Sequence, residues 1–227
     1  MVDFDNIEIL HLETGTLPIK YIIAMRRIMY HRDIVSRNDS ELVKKIYLAQ
    51  KQKPMKYEWI KLLEKDFDLI GEIVDDSKIK VMKKKKYKKM IKEKITKAAF
   101  EFLQAKKNSH SKVKNIIYDK LNPQTYIKNN ELSNEEVRLL FRLRSETTDV
   151  KLNFKTKFKD DLSCSLGCSE DETQEHLLHC KPLNDKLSDE QQQNIVEYND
   201  IFDDKKQPAA VMLFMKLFDI RNNFESP

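Results

Sequence analysis

Apolar residues recur at near-helical spacing along most of the chain. Pro18 suits a first helical position, and Ile19, Ile22, Ile23, Met29 and Tyr30 follow it, which predicts a helix over about 18–36. Asn38 or Asp39 can cap a second helix whose apolar face is Leu42, Val43, Ile46 and Tyr47, ended by Pro54. A third, over about 56–69, would turn Trp59, Leu62, Leu63 and Phe67 inward and stop at Gly71. Asp76 or Ser77 then opens a much longer helix reaching about Lys107, with Tyr87, Ile91, Ile95, Ala98 and Phe102 as an apolar stripe among lysines. After Asn108 the pattern loosens until Ser133 and Glu136 form a capping box ahead of Val137, Leu140, Phe141 and Arg144, predicting a short helix over about 134–146. The segment KLNFKTKF reads as irregular or extended. Two further helices are expected, over about 189–200 and, opened by Pro208, about 208–222.

The fold class predicted is therefore mainly α. It divides into a helical N-terminal unit (1–77), a long basic helix with a connector (78–125) and a smaller helical C-terminal region (126–227). Only 3 glycines and 6 prolines in 227 residues favour helices over turn-rich sheets. With 40% hydrophobic and 35% charged residues the chain is globular but highly charged. Its longest apolar runs, such as Ala209 to Met215, are far short of a bilayer span, and MVDFDNIEIL lacks the pattern of a signal peptide. The expectation is an intracellular protein, nuclear or cytoplasmic, without a membrane partner.

Charge changes the picture locally. The net charge is +5, but residues 78–120 hold 16 lysines against Glu93, Glu101 and Asp119, a local +13. Lys83, Lys84, Lys85, Lys86, Lys88, Lys89 and Lys92 fall within about three turns of one predicted helix and can face phosphates. The plain alternative is a solvated lysine face.

All 3 cysteines lie in LSCSLGCSEDETQEHLLHC, Leu162 to Cys180. Cys164 and Cys168 form a short pair, His176 and Cys180 another, a spacing that lets four ligands wrap one tetrahedral zinc ion. Ser169 and Glu172 suggest a capping box, so that a helix would present His176 and Cys180 at i and i+4. Gly167 supplies the positive φ that a tight turn between two thiolates needs. Three thiolates and an imidazole close the tetrahedron, which marks a structural ion. Glu175, His176 and His179 do not make a zinc-protease motif, which needs histidines at i and i+4 with the glutamate between them. The competing reading takes the cysteines as small core residues.

The run ETGTLPIKYIIAMRRIMYHRDIVSR onward, then NSHSKVKNIIYDKL, LLFRLRSETTDVKLNFKTKF and the cysteine-rich stretch, resembles the carboxy-terminal part of non-LTR (LINE-type) retrotransposon reverse transcriptases. The likeness covers nearly the whole chain, and the order of its motifs is more specific than any one of them. It implies a thumb-like N-terminal unit, a connection and a zinc knuckle. It also implies a role in holding template RNA or target DNA, and the missing polymerase domain as a partner. The family's polymerase centre uses two aspartates on a hairpin to hold magnesium ions, and no such motif occurs here, so no catalytic residue is expected. Asp75 with Asp76, Asp160 with Asp161, and Asp203 with Asp204 read as ordinary charged pairs. Two function classes follow: a nucleic-acid-binding fragment without polymerase activity, or a structural zinc module whose apolar helix faces bind a protein partner.

Overall fold

A computed structural model describes residues 7–53, 59–109, 116–154, 157–158, 161–188 and 196–224. The fold is mainly α, with no strand among the described residues. The helices are α1 (Ile7–Thr14), α2 (Ile19–Val35), α3 (Leu42–Gln52), α4 (Trp59–Asp68), α5 (Asp76–Val81), α6 (Lys84–Asn108), α7 (Thr125–Lys128), α8 (Asn134–Arg144), α9 (Gln174–His179), α10 (Lys181–Asn184) and α11 (Gln207–Phe224). Single 3-10 turns occupy Lys151–Phe154 and Tyr198–Phe202. They gather into two units, one made of Leu10–Lys107 with Ile117–Asn122, the other chiefly of the residues from Pro123 onward. Most of the helix expected at 189–200 lies outside the described residues, as do the start of the third predicted helix, Asp160 and part of KLNFKTKF.

In the first unit α2 packs against α3, α4 and α5. Its buried face is Tyr21, Ala24, Ile28, His31, Ile34 and Val35, a heptad-like spacing. The face expected from the sequence is largely outside: Ile19, Ile23 and Tyr30 are exposed. Apolar residues surround this helix, so the pattern alone does not single out one side, and the partners' shape decides. The same correction applies next door. In α3, Tyr47 is buried while Leu42 and Ile46 are exposed, and in α4 the inward residues are Ile60, Leu63 and Phe67, with Leu62 outside. Gly71 stops α4 as expected, at φ 66°, with Glu72 N–H donating to the Phe67 carbonyl.

The long helix expected from Asp76 is broken. Asp75 caps α5 by accepting from the backbone N–H groups of Ser77 and Lys78, and α5 ends at Val81 because Met82 turns extended (ψ 130°). The Met82 carbonyl accepts from Arg32 Nη2 at 3.1 Å instead of from a helical N–H, so the break leaves no orphan acceptor there. Within α6 the buried positions are Tyr87, Ile91, Ile95, Ala99, Leu103 and Lys107. The interval is four residues, not 3.6, so the buried stripe winds around the helix and displaces the expected Ala98 and Phe102.

In the second unit α11 packs on α8, α9, α10 and the Tyr198–Phe202 turn. Ala210, Val211, Phe214, Leu217 and Ile220 recur at helical spacing and meet Leu140, Leu143, Leu177 and Leu183 in one core. The Ser133–Glu136 capping box opens α8 as the sequence predicts. Arg144, near the end of α8, is buried, donates to the Ile201 carbonyl and lies over the rings of Tyr126 and Phe202. Helices α1, α7 and α10 have at most 8 residues, too few to show a period.

Candidate metal centre and lysine face

Cys164, Cys168, His176 and Cys180 come together in the second unit, with one ligand atom from each lying within 4.8 Å of all the others. The first two are carried by a minimal antiparallel hairpin bridged at Ser163 and Asp171. Cys164 N–H donates to the Glu170 carbonyl at 2.9 Å, and Glu172 N–H to the Leu162 carbonyl at 2.7 Å. Gly167 turns the hairpin at φ 86°, and its N–H donates to the Cys164 carbonyl. A Cβ at Gly167 would meet no atom within 4 Å, so glycine is needed there for its backbone angle and not for space.

The second pair departs from the expected cap. Thr173, not Ser169, caps α9 by accepting from His176 N–H. Helix α9 ends at His179, with Cys180 as its C-cap, which still leaves His176 and Cys180 one turn apart. Glu172 is fully buried in another role: its carboxylate accepts from Ser165 N–H, Ser165 Oγ and Lys151 N–H, and pairs with Arg221 of α11. Burial works against its ionisation, but the Ser165 hydrogen bonds and Arg221 hold the carboxyl below its usual range. His179 and Glu175 are exposed to solvent.

The donor set fits a tetrahedral ion. Cys164 and Cys180 Sγ are 3.9 Å apart, and Cys168 and Cys180 Sγ 3.6 Å apart. Four ligands at a metal–sulfur distance of about 2.3 Å have sulfur–sulfur edges of about 3.8 Å. His176 Nδ1 sits 2.9 Å from Glu170 Oε2, while His176 Nε2 is buried without a hydrogen-bond partner. A carboxylate on one ring nitrogen, with the second left without a hydrogen bond, is the arrangement that orients a metal-ligating histidine.

The charges point the same way. Burial opposes ionisation of Cys164, yet the backbone N–H groups of Leu166 and Cys168 and the side chains of His176 and Cys180 outweigh it, and this thiol is lowered. The next thiolates are disfavoured: burial and the neighbouring sulfurs push Cys180 up to about 12, and Cys168 is raised as well. A bound cation removes that conflict, because a coordinating thiol is deprotonated outright. Cys164 and Cys180 also belong to the hydrophobic core, so the core reading of these residues and the ligand reading coincide.

The seven candidate lysines are all exposed. Lys83 precedes α6, and the others lie on it. Lys85, Lys88, Lys89 and Lys92 make one stripe at i, i+3, i+4 and i+7. Lys84 is engaged by Asp33 at 2.9 Å and Lys89 approaches Glu93 at 3.9 Å. Two features are not visible in the sequence. Asp76, by its local context an ordinary charged residue, accepts from Tyr47 Oη at 2.8 Å and Lys51 Nζ at 2.8 Å and lies 3.1 Å from His31 Nε2. Arg221 carries no local sequence signal for its pairing with Glu172, 49 residues away. Compared with known proteins, the chain matches no family model, and no curated protein or solved structure matches it significantly.

Proposed function

We propose that the chain binds RNA or DNA through its lysine face without polymerising nucleotides, as the carboxy-terminal part of a non-LTR retrotransposon reverse transcriptase would. A structural zinc ion held by Cys164, Cys168, His176 and Cys180 stabilises the second unit. Three sulfurs and one imidazole nitrogen suit zinc, and they leave no open coordination position for chemistry. The observation that carries the nucleic-acid reading is the state of the lysines. Lys83, Lys85, Lys86, Lys88 and Lys92 are exposed and have no ion-pair partner among the described residues, so their charge is available to phosphates. The metal hairpin is a poor phosphate surface, because Glu170, Asp171 and Glu175 are exposed there and no lysine or arginine lies between Cys164 and Cys180.

A protein-interaction role is the second reading. It is favoured by Ile19, Ile23, Tyr30, Leu42 and Ile46, which leave apolar surface outside the first unit. Such a surface would suit a polymerase domain. A titration of labelled oligonucleotides at several salt concentrations separates the two. Five neutralised phosphates on a single strand give a slope of log affinity against log salt of about −3.5. Replacing Lys85, Lys86, Lys88 and Lys92 by glutamine should flatten that slope by about 0.7 for each phosphate no longer neutralised. Absence of saturable, salt-dependent binding in the folded protein would leave only the protein-interaction reading.

A further inference from the structure

Beside the lysine stripe, α6 and the segment 117–122 of the same unit enclose an open groove of about 530 Å³. Its floor is mainly apolar, with Phe100 half-buried and Leu121 buried. Lys89, Lys92, Lys97 and Lys120 stand around it, against the carboxylates of Glu93 and Asp119. Lys92 and Lys120 have no ion-pair partner among the described residues. Lys89 and Lys97 approach Glu93 and Glu101 only at 3.9 and 3.8 Å, on well-exposed side chains. Exposed pairs of that kind hold little free energy and yield to a stronger anion.

We propose that this groove is a nucleotide subsite for single-stranded nucleic acid, in which one unpaired base stacks on Phe100 while Lys89, Lys92, Lys97 and Lys120 hold the flanking phosphates. The inference rests on the nucleic-acid reading above and deepens it by naming the strand state and the base contact. A lysine face alone attracts any polyanion, duplex or single strand. An aromatic ring set among those lysines adds a preference, because only an unpaired base can offer its π-face to a side chain, and such stacking is tolerant of sequence. The groove continues the stripe directly, since Lys89 and Lys92 belong to both.

The test measures anisotropy of a labelled dodecamer with the full chain in four forms: single-stranded, duplex, and two single strands of equal charge in which the central nucleotides are either thymidines or abasic spacers. The wild-type chain should bind the single strand more tightly than the duplex, and the abasic strand about tenfold more weakly than its thymidine counterpart. Phe100→Leu, which keeps an apolar side chain and removes the ring, should lose a similar factor on the single strand and leave duplex binding unchanged, with Phe100→Trp restoring it. Equal affinity for the abasic and thymidine strands overturns the subsite whatever the variants do, and needs no variant to fold. If both strands bind equally and the lysine substitutions still weaken them, the subsite fails while the broader reading stands. If the wild-type chain binds none of the four, both fail together.

Discussion

Glu172 and Arg221 meet at 2.7 Å inside the second unit, with side chains 1% and 8% exposed, and so tie the metal hairpin to α11. The same carboxylate accepts from the backbone of Ser165, inside the Cys164–Cys168 turn, and of Lys151. One buried acid therefore fixes the turn, the preceding 3-10 segment and the last helix. Removing one partner of a buried pair leaves an uncompensated charge, at a cost of about 3 kcal/mol or more.

Glu172→Gln should lower the stability of the second unit by about 3 kcal/mol, and the double variant Glu172→Gln/Arg221→Met should recover part of that loss. Urea unfolding followed by circular dichroism measures both. Additive losses would mean that the two side chains do not act as a pair.

Reconstituted protein should hold one zinc per chain, and Cys180→Ser should abolish it, because a closed site without one thiolate no longer completes the tetrahedron. The single tryptophan, Trp59, lies in the first unit. Chelation or Cys180→Ser should therefore reduce helical signal while leaving the tryptophan fluorescence near its native value. Less than about 0.2 zinc per chain by elemental analysis would refute the assignment of the ion.

Glu170→Gln should weaken metal affinity about tenfold or more, since the carboxylate on His176 Nδ1 orients the ring and raises its basicity. Gly167→Ala should destabilise the hairpin by about 1 kcal/mol, the cost of a Cβ in the left-handed region. Competition against a chromophoric chelator reads the first and thermal melts read the second. An unchanged affinity in Glu170→Gln would show that the Glu170 contact is incidental.

Acid should loosen the first unit through Asp76. Burial works against this carboxylate, but hydrogen bonds involving His31, Lys51 and Tyr47 outweigh it and hold its pKa well below the usual carboxylate range. A carboxyl depressed in the folded state adds stability that is complete above its unfolded pKa of about 3.9 and is lost as pH falls toward the folded value. Asp76→Asn should cost about 2 kcal/mol at neutral pH and flatten the acid limb of the stability profile. Trp59 fluorescence against pH at fixed urea reports it, and identical acid limbs in the two proteins would remove Asp76 as their cause.

Purified chain should incorporate no nucleotides on a primed template with magnesium or manganese, because two-metal chemistry needs paired carboxylates that hold two ions about 4 Å apart at the attacking and leaving oxygens, and the sequence offers no such hairpin. Template-dependent synthesis surviving stringent purification would contradict that expectation.

The cluster that could hold a metal ion is legible in the sequence because such a site is written in side-chain type and close spacing, and the whole set falls within seventeen consecutive positions, Cys164 to Cys180. Gly71 and Gly167 are legible for a similar reason: both chain reversals need positive φ, and the chain has only 3 glycines. The capping box at Ser133 and Glu136 is equally local, and it forms. The same grammar at Ser169 and Glu172 does not, because Glu172 gains more from Arg221 and the Ser165 hydrogen bonds than a helix cap offers, and Arg221 is distant in sequence. The existence of the longer helices follows from periodicity. Which face turns inward does not, since α2 carries apolar residues all round and only the shapes of α3, α4 and α5 select Tyr21, Ala24, Ile28 and His31 over Ile19, Ile23 and Tyr30. The break after Val81 is likewise decided by a residue outside the segment, Arg32, whose guanidinium takes the Met82 carbonyl. What the chain writes within one turn or one loop it determines by itself, whereas the partial burial of Asp76 and the full burial of Glu172 depend on charges that meet only after the helices have packed.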